Sequence, residues 1–147
     1  GNAQSVCVGN IDFYSTDANS LLPFFGEVHI CYLPDQGRVA GLSKFARITE
    51  VFSKRLQTPR DLARDIAASI EDLLAPLGVL VVMKFVHLNA SSVACLHGSQ
   101  GGLPCASTTK AVKVEVQAKG RFLDERSEER LEMLALIGVD HTNSNSS

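Results

Sequence analysis

Ser43, Lys44 and Arg47 carry the clearest chemical potential in this chain. They open a stretch in which Phe45, Ile48, Phe52 and Leu56 recur at helical spacing, predicting a helix over about 43–56. The first turn of a helix offers unpaired N–H groups and the positive end of its dipole, which together attract phosphate. Lys44 and Arg47 fall on one side of that turn. The same residues also suit the solvated basic edge of an amphipathic helix. A second group comprises Asp17, Asn19 and Ser20, with His87 and Asn89 much later. A lone carboxylate among amides and a hydroxyl is a poor zinc set, since zinc favours thiolate and imidazole. Taken singly, His87 fits a hydrogen-bonded histidine at a strand end, and His29 fits a histidine within a sheet. Asp17, Cys95, His97 and Cys105 have ligand atoms, but their spacing matches no zinc pattern.

These groups need elements to hold them. Residues 5–14, with Val6, Val8, Ile11 and Phe13, read as a strand. Residues 27–33 read as a second, with Val28, Ile30 and Tyr32 on one face, followed by the turn signal Asp35-Gln36-Gly37. After the helix at 43–56, Thr58-Pro59-Arg60-Asp61 starts another: Thr58 can cap, Pro59 fits the first helical position and Asp61 can close a capping box. Its apolar stripe runs through Leu62, Ile66, Ile70, Leu73, Leu74 and Leu77, and Pro76 and Gly78 mark its end. Residues 79–87 form an apolar strand. Residues 111–119 alternate Val112, Val114 and Val116 with Lys113, Glu115 and Gln117, as a half-exposed antiparallel strand does. Residues 97–102 form a glycine-rich loop, about 124–136 a short charged helix, and 139–147 a polar tail or linker. The order predicts an α+β layer: a four-stranded antiparallel sheet with two antiparallel helices on one face, plus a short C-terminal helix.

At 147 residues, 45% hydrophobic and 20% charged, the chain is long and apolar enough for one real core. A net charge of −2 argues against a nucleic-acid partner, since such domains usually present a basic surface. No apolar run is long enough to span a membrane and no signal peptide is evident, so a cytoplasmic location is expected. Cys7, Cys31, Cys95 and Cys105 are scattered and read as reduced thiols, with a Cys95–Cys105 bridge as the exception left open.

Several strings, in order, resemble GTP cyclohydrolase I. Tyr14-Ser-Thr-Asp17-Ala18-Asn19-Ser20-Leu-Leu-Pro-Phe-Phe-Gly26 resembles that family's Y-S-x-C-E-H-H-L-L-P-F-x-G segment. Gly26-Glu-Val-His-Ile-Cys-Tyr-Leu-Pro34 is similar to its G-x-V-H-I-x-Y-x-P strand, and Gly41-Leu-Ser-Lys-Phe-Ala-Arg-Ile48 to its G-L-S-K-L-A-R-I helix start. Arg55-Leu-Gln57 and Gly78-Val-Leu-Val-Val82 continue in register. The loop after His87 diverges, and the family's N-terminal helical region has no counterpart.

The resemblance implies the tunnelling fold, whose sheets join side by side into a ring-forming oligomer. It also implies which residues have changed. Asp17 and Ser20 stand at two zinc-ligand positions and Asn89 at the third; Asn19 replaces a catalytic histidine, while His87 keeps the other. Arg60 stands where a glutamate reads guanine, and arginine can only donate. Ser43, Lys44 and Arg47 match the triphosphate-binding S-K-x-x-R in full. In the family one subunit supplies zinc and the guanine reader while its neighbour supplies the basic helix. The expectation is therefore a non-catalytic half of a tandem or composite GTP cyclohydrolase I, similar to the first domain of the plant-type enzyme. It would bind no cofactor itself, and it would contribute triphosphate contacts to a zinc-bearing catalytic domain in cis or trans. The alternative is a pseudoenzyme scaffold or a regulatory pterin- or nucleotide-binding module.

Overall fold

The structure is a computed structural model that describes residues 4–88 and 112–139. Chain order is β1 (Val6–Asp17), β2 (Pro23–Leu33), α1 (Leu42–Ser53), β3 (Leu56–Gln57), α2 (Pro59–Leu74), β4 (Gly78–His87), β5 (Lys113–Gly120), a single 3-10 turn (Arg121–Leu123) and α3 (Glu128–Ile137). The fold is α+β. The sheet has five strands in the order β3-β1-β2-β4-β5, rather than the expected four. β1, β2, β4 and β5 pair antiparallel, but Leu56–Gln57 pairs parallel to Thr16–Asp17 and makes the sheet mixed. So short a strand carries no alternation to read and is defined only by its partner.

The two faces of the sheet are both covered. Phe24, Val28, Ile30, Tyr32, Val79, Val81 and Met83 face α1 and α2, packing on Phe45, Leu62, Ile66 and Ile70. Leu33, Leu80 and Val82 face the other way, onto Phe122, Leu134 and Val139. α3 thus forms a layer opposite the helix pair, and β4 is buried on both sides, which explains its unbroken apolar run. Each such side chain contributes about 1.5–3 kcal/mol by leaving water. In β1, Val6 and Val8 share a face with Ile11 and Phe13 because the register shifts between Val8 and Ile11, where Asn10 takes φ 58°.

α2 begins as the sequence predicts: Thr58 Oγ1 accepts from the Asp61 N–H at 3.2 Å, with Pro59 at the first position. α1 and α2 run antiparallel. Phe45, near the start of α1, packs on Tyr32 (ring centroids 5.6 Å apart), whereas the carbonyl of Phe52 at its end meets Gln57 Nε2 at 2.5 Å. α2 then returns, and the Leu77 N–H after it bonds the Leu33 carbonyl.

One sequence expectation is overturned by strand register. Cys7 and Cys31 are a disulfide, not free thiols. They lie directly opposite each other on paired antiparallel strands, Cα atoms 4.2 Å apart. Cys95, Cys105, the loop at 97–102 and residues 140–147 lie outside the described residues. No helix among the described residues is long and apolar enough to cross a membrane.

Candidate functional site

The turn after β1 is built around one carboxylate. Asp17 ends the strand and is buried. Its Oδ1 accepts from the N–H groups of Asn19 (2.7 Å) and Ser20 (3.4 Å). Two backbone bonds close the same turn, Leu21 N–H to the Asp17 carbonyl and Asp17 N–H to the Leu22 carbonyl. Ser20 Oγ in turn accepts from the Leu22 N–H at 3.3 Å. Asp17 Oδ2 lies 2.8 Å from His87 Nε2, at the end of β4. That is ion-pair distance, although the ring N–H is not aligned on the oxygen as a full hydrogen bond requires. Phe24 lies edge-on to the His87 ring, with centroids 6.1 Å apart.

β3 braces this end of the sheet. Ala18 N–H donates to the Gln57 carbonyl, and buried Gln57 Nε2 reaches both Ser15 Oγ (3.2 Å) and the Phe52 carbonyl. Arg60 follows on the first turn of α2 and is exposed. The structure therefore brings Asp17, Asn19, Ser20 and His87 together, with Arg60 on the segment leading away. Asn89 lies outside the described residues.

These residues do not suit zinc. Both oxygens of Asp17 already have partners, the Ser20 hydroxyl serves its own turn, and only one imidazole is present. Among the described residues, with Cys7 and Cys31 joined as a disulfide, no three His, Cys, Asp or Glu side chains form a metal-holding group. The Asp17 carboxylate accepts from the Asn19 and Ser20 N–H groups and so caps the turn.

Ser43, Lys44 and Arg47 are elsewhere. All three are exposed on the first turns of α1, whose N-cap, Gly41, provides no side-chain cap. The first turn holds no acidic residue, and neither cation has a side-chain partner among the described residues. This N-terminus lies at the Tyr32 end of the sheet, since the Ala40 N–H bonds Tyr32 Oη at 3.3 Å. Asp17 and His87 lie at the Phe24 end. Phe24 and Tyr32 are about 27 Å apart at the usual strand rise. The 12-residue α1 itself spans about 18 Å. One copy of this chain cannot bring the basic turn to Asp17 and His87.

Sequence reasoning missed a second cluster on the α3 face of the sheet, around the Cys7–Cys31 pair. His29 lies beside it, its Nε2 3.4 Å from Glu27 Oε2 without hydrogen-bond alignment. Burial, then the Lys84 ammonium, lowers the His29 pKa below its ordinary value, while Glu27 pulls the other way. The residues of this cluster come from β1, β2 and β4, so no local motif announces it.

The family model for GTP cyclohydrolase I matches residues 1–134. GTP cyclohydrolase 1 of Streptococcus agalactiae serotype Ia is 41% identical over 134 residues, which are 91% of this chain and 65% of that protein. The Arabidopsis thaliana protein of that name is 46% identical over 123 residues, 83% of this chain and 25% of its own. The chain thus spans just under two thirds of the streptococcal relative and a quarter of the plant one. Among solved structures, the apo form of an archaeosine synthase QueF-Like protein shares the fold, with TM-score 0.56, 16% identity, and coverage of 82% of this chain and 97% of that one. On the match over residues 1–134, this chain belongs to the GTP cyclohydrolase I family.

Proposed function

We propose that this chain is the non-catalytic half of a composite GTP cyclohydrolase I, in the pterin and folate route, and that it grips the GTP triphosphate for a zinc-bearing partner domain. The observation that carries this reading is the separation within one chain. A basic helix start without a side-chain partner among the described residues stands at one end of the sheet, and the Asp17-capped turn with His87 stands at the other. A site needing both functions requires a second domain at the Ser43 end.

In this assignment Ser43 Oγ and the free N–H groups of the first turn of α1 donate to phosphate oxygens. Lys44 and Arg47 neutralise their charge. The partner would hold the zinc, which would supply an activated water for purine-ring opening, and the glutamate that would read guanine. Arg60 cannot serve that last purpose here. His87 keeps the family's histidine position but is turned to Asp17. The partner is in cis or in trans: the matched 123 residues make the plant relative about 490 residues long, room for a second domain of this size.

The tunnelling fold and its ring fit the sheet edges. Among the described residues, β5 is open along one side, and β3 shields only the last two residues of β1 on the other. Such edges are normally paired or protected, and edge-to-edge joining into a ring pairs them.

The test is co-assembly and turnover. The domain is mixed with a zinc-competent family domain whose own basic helix has been neutralised, and pterin fluorescence is followed with GTP. Activity only in the mixture supports the composite site. A mixed ring without activity would overturn it in favour of a scaffold or regulatory module.

A further inference from the structure

The α3 face of the sheet carries a cluster that the composite site leaves unused. Cys7 and Cys31 are cross-strand neighbours joined as a disulfide, and His29 stands two residues along β2 on the same face. The His29 ring lies over β1: a Cβ on Gly9 would come within 2.6 Å of its Nδ1, so only glycine there leaves room for the ring. The other ring nitrogen, Nε2, is 3.4 Å from Glu27 Oε2. From α3, Met133 Sδ approaches Cys7 Sγ to 3.2 Å. Cys7, Cys31, His29 and Glu27 border an open cavity of about 340 Å³ that Lys84 also lines.

We propose that reduction of the Cys7–Cys31 disulfide converts this cluster into a binding site for a thiophilic divalent ion, zinc in the first instance, held by Cys7, Cys31 and His29. Two residues alternating along one strand and a third directly opposite place three Cβ atoms about 5–8 Å apart on one face. Cysteine and histidine side chains converge from such a triangle to ligand distances of about 2.3 and 2.0 Å. Nδ1 is the ring nitrogen over β1, the strand that carries Cys7, and is the ligand atom. Nε2–H is then left for Glu27, giving the carboxylate–histidine–metal relay that orients such ligands. Two thiolates, Glu27 and Lys84 sum to a charge that a divalent ion cancels. The Lys84 ammonium, which donates to the Ile137 carbonyl at 2.5 Å, lines the same cavity. The fourth position falls to the Met133 thioether or to water.

The redox step balances with a phosphine. Two electrons from phosphorus break the S–S bond, and water gives two protons to the sulfurs and its oxygen to the phosphine oxide. The metal then displaces both thiol protons. This site lies on the opposite face of the sheet from Asp17 and His87 and is independent of the composite-site reading.

The experiment uses the full chain with Cys95→Ser and Cys105→Ser, so that Cys7 and Cys31 are its remaining cysteines. Zinc is titrated against a chromophoric chelator, and Co²⁺ is added as a spectroscopic probe, before and after phosphine reduction. The reduced protein is expected to bind one zinc per chain and the disulfide form none. Its Co²⁺ complex should show thiolate charge-transfer absorption and the visible bands of a tetrahedral ion. Glu27→Gln should weaken zinc by about tenfold, the usual loss for an outer carboxylate, and His29→Ala by more. Equal zinc uptake in both redox forms, a Co²⁺ spectrum without thiolate bands, or unchanged affinity in a folded His29→Ala protein would overturn the proposal. The Co²⁺ spectrum decides the matter if His29→Ala fails to fold.

Discussion

Asp17 Oδ2 and His87 Nε2 meet at 2.8 Å across the end of β2, one from the end of β1 and the other from the end of β4. The Asp17 carboxylate is the hub of a turn: it accepts from two backbone N–H groups and stands at ion-pair distance from the imidazole.

This arrangement predicts a stability role for Asp17. Hydrogen bonds to a charged acceptor contribute about 1.5–3 kcal/mol. Asp17→Ala should lower unfolding free energy by about 2 kcal/mol, and Asp17→Asn, which keeps one acceptor oxygen, by less. Urea denaturation measures both. Equal stability in all three proteins would mean the turn holds without the carboxylate.

Gly26 predicts a packing limit. A Cβ there would lie 2.0 Å from the Lys84 carbonyl oxygen and 2.8 Å from Phe85 Cα, both backbone atoms of the adjacent strand β4. Neither can move without parting two central strands. Gly26→Ala should cost about 3 kcal/mol or more, read as a large fall in thermal midpoint or loss of soluble protein.

His29 predicts an acid-side loss of stability in the metal-free disulfide form. Its folded pKa lies below the ordinary value of 6.5, first through burial and then through Lys84. The unfolded chain therefore takes up the proton more readily. The contribution of a neutral His29 is complete above pH 6.5 and is lost as pH falls through the folded pKa. Denaturation midpoints at successive pH values should fall below that point in the native chain and fall less in His29→Gln. Identical slopes would contradict the assignment.

Local signals in the sequence were reliable where the chemistry was local. The Thr58-Pro59-Asp61 helix start forms as read, and the alternation of Val114 and Val116 with Lys113 and Glu115 marks β5. Features set by register were not legible. β3 exists only because Gln57 meets Asp17 and Ala18. The Cys7–Cys31 pair depends on alignment between two strands whose one-residue slip would put the sulfurs on opposite faces. The bulge at Gly9 and Asn10 keeps Val6 and Val8 facing the core with Ile11, a parity change no alternation rule contains. At the candidate site the sequence singles out residues by type and spacing, Ser43 and His87 among them. Their separation to opposite ends of the sheet was not legible, because it follows from the direction of α1.

The most direct test is charge reversal in the mixed assembly. Lys44 and Arg47 are exposed and unpaired among the described residues, so Lys44→Glu with Arg47→Glu should change stability by no more than about 0.5 kcal/mol. The substituted domain should still assemble with a zinc-bearing partner that lacks its own basic helix. Pterin formation from GTP is then measured at equal assembly. The composite-site account predicts turnover with the native domain and its loss with the reversed one. Turnover that survives the reversal would contradict it.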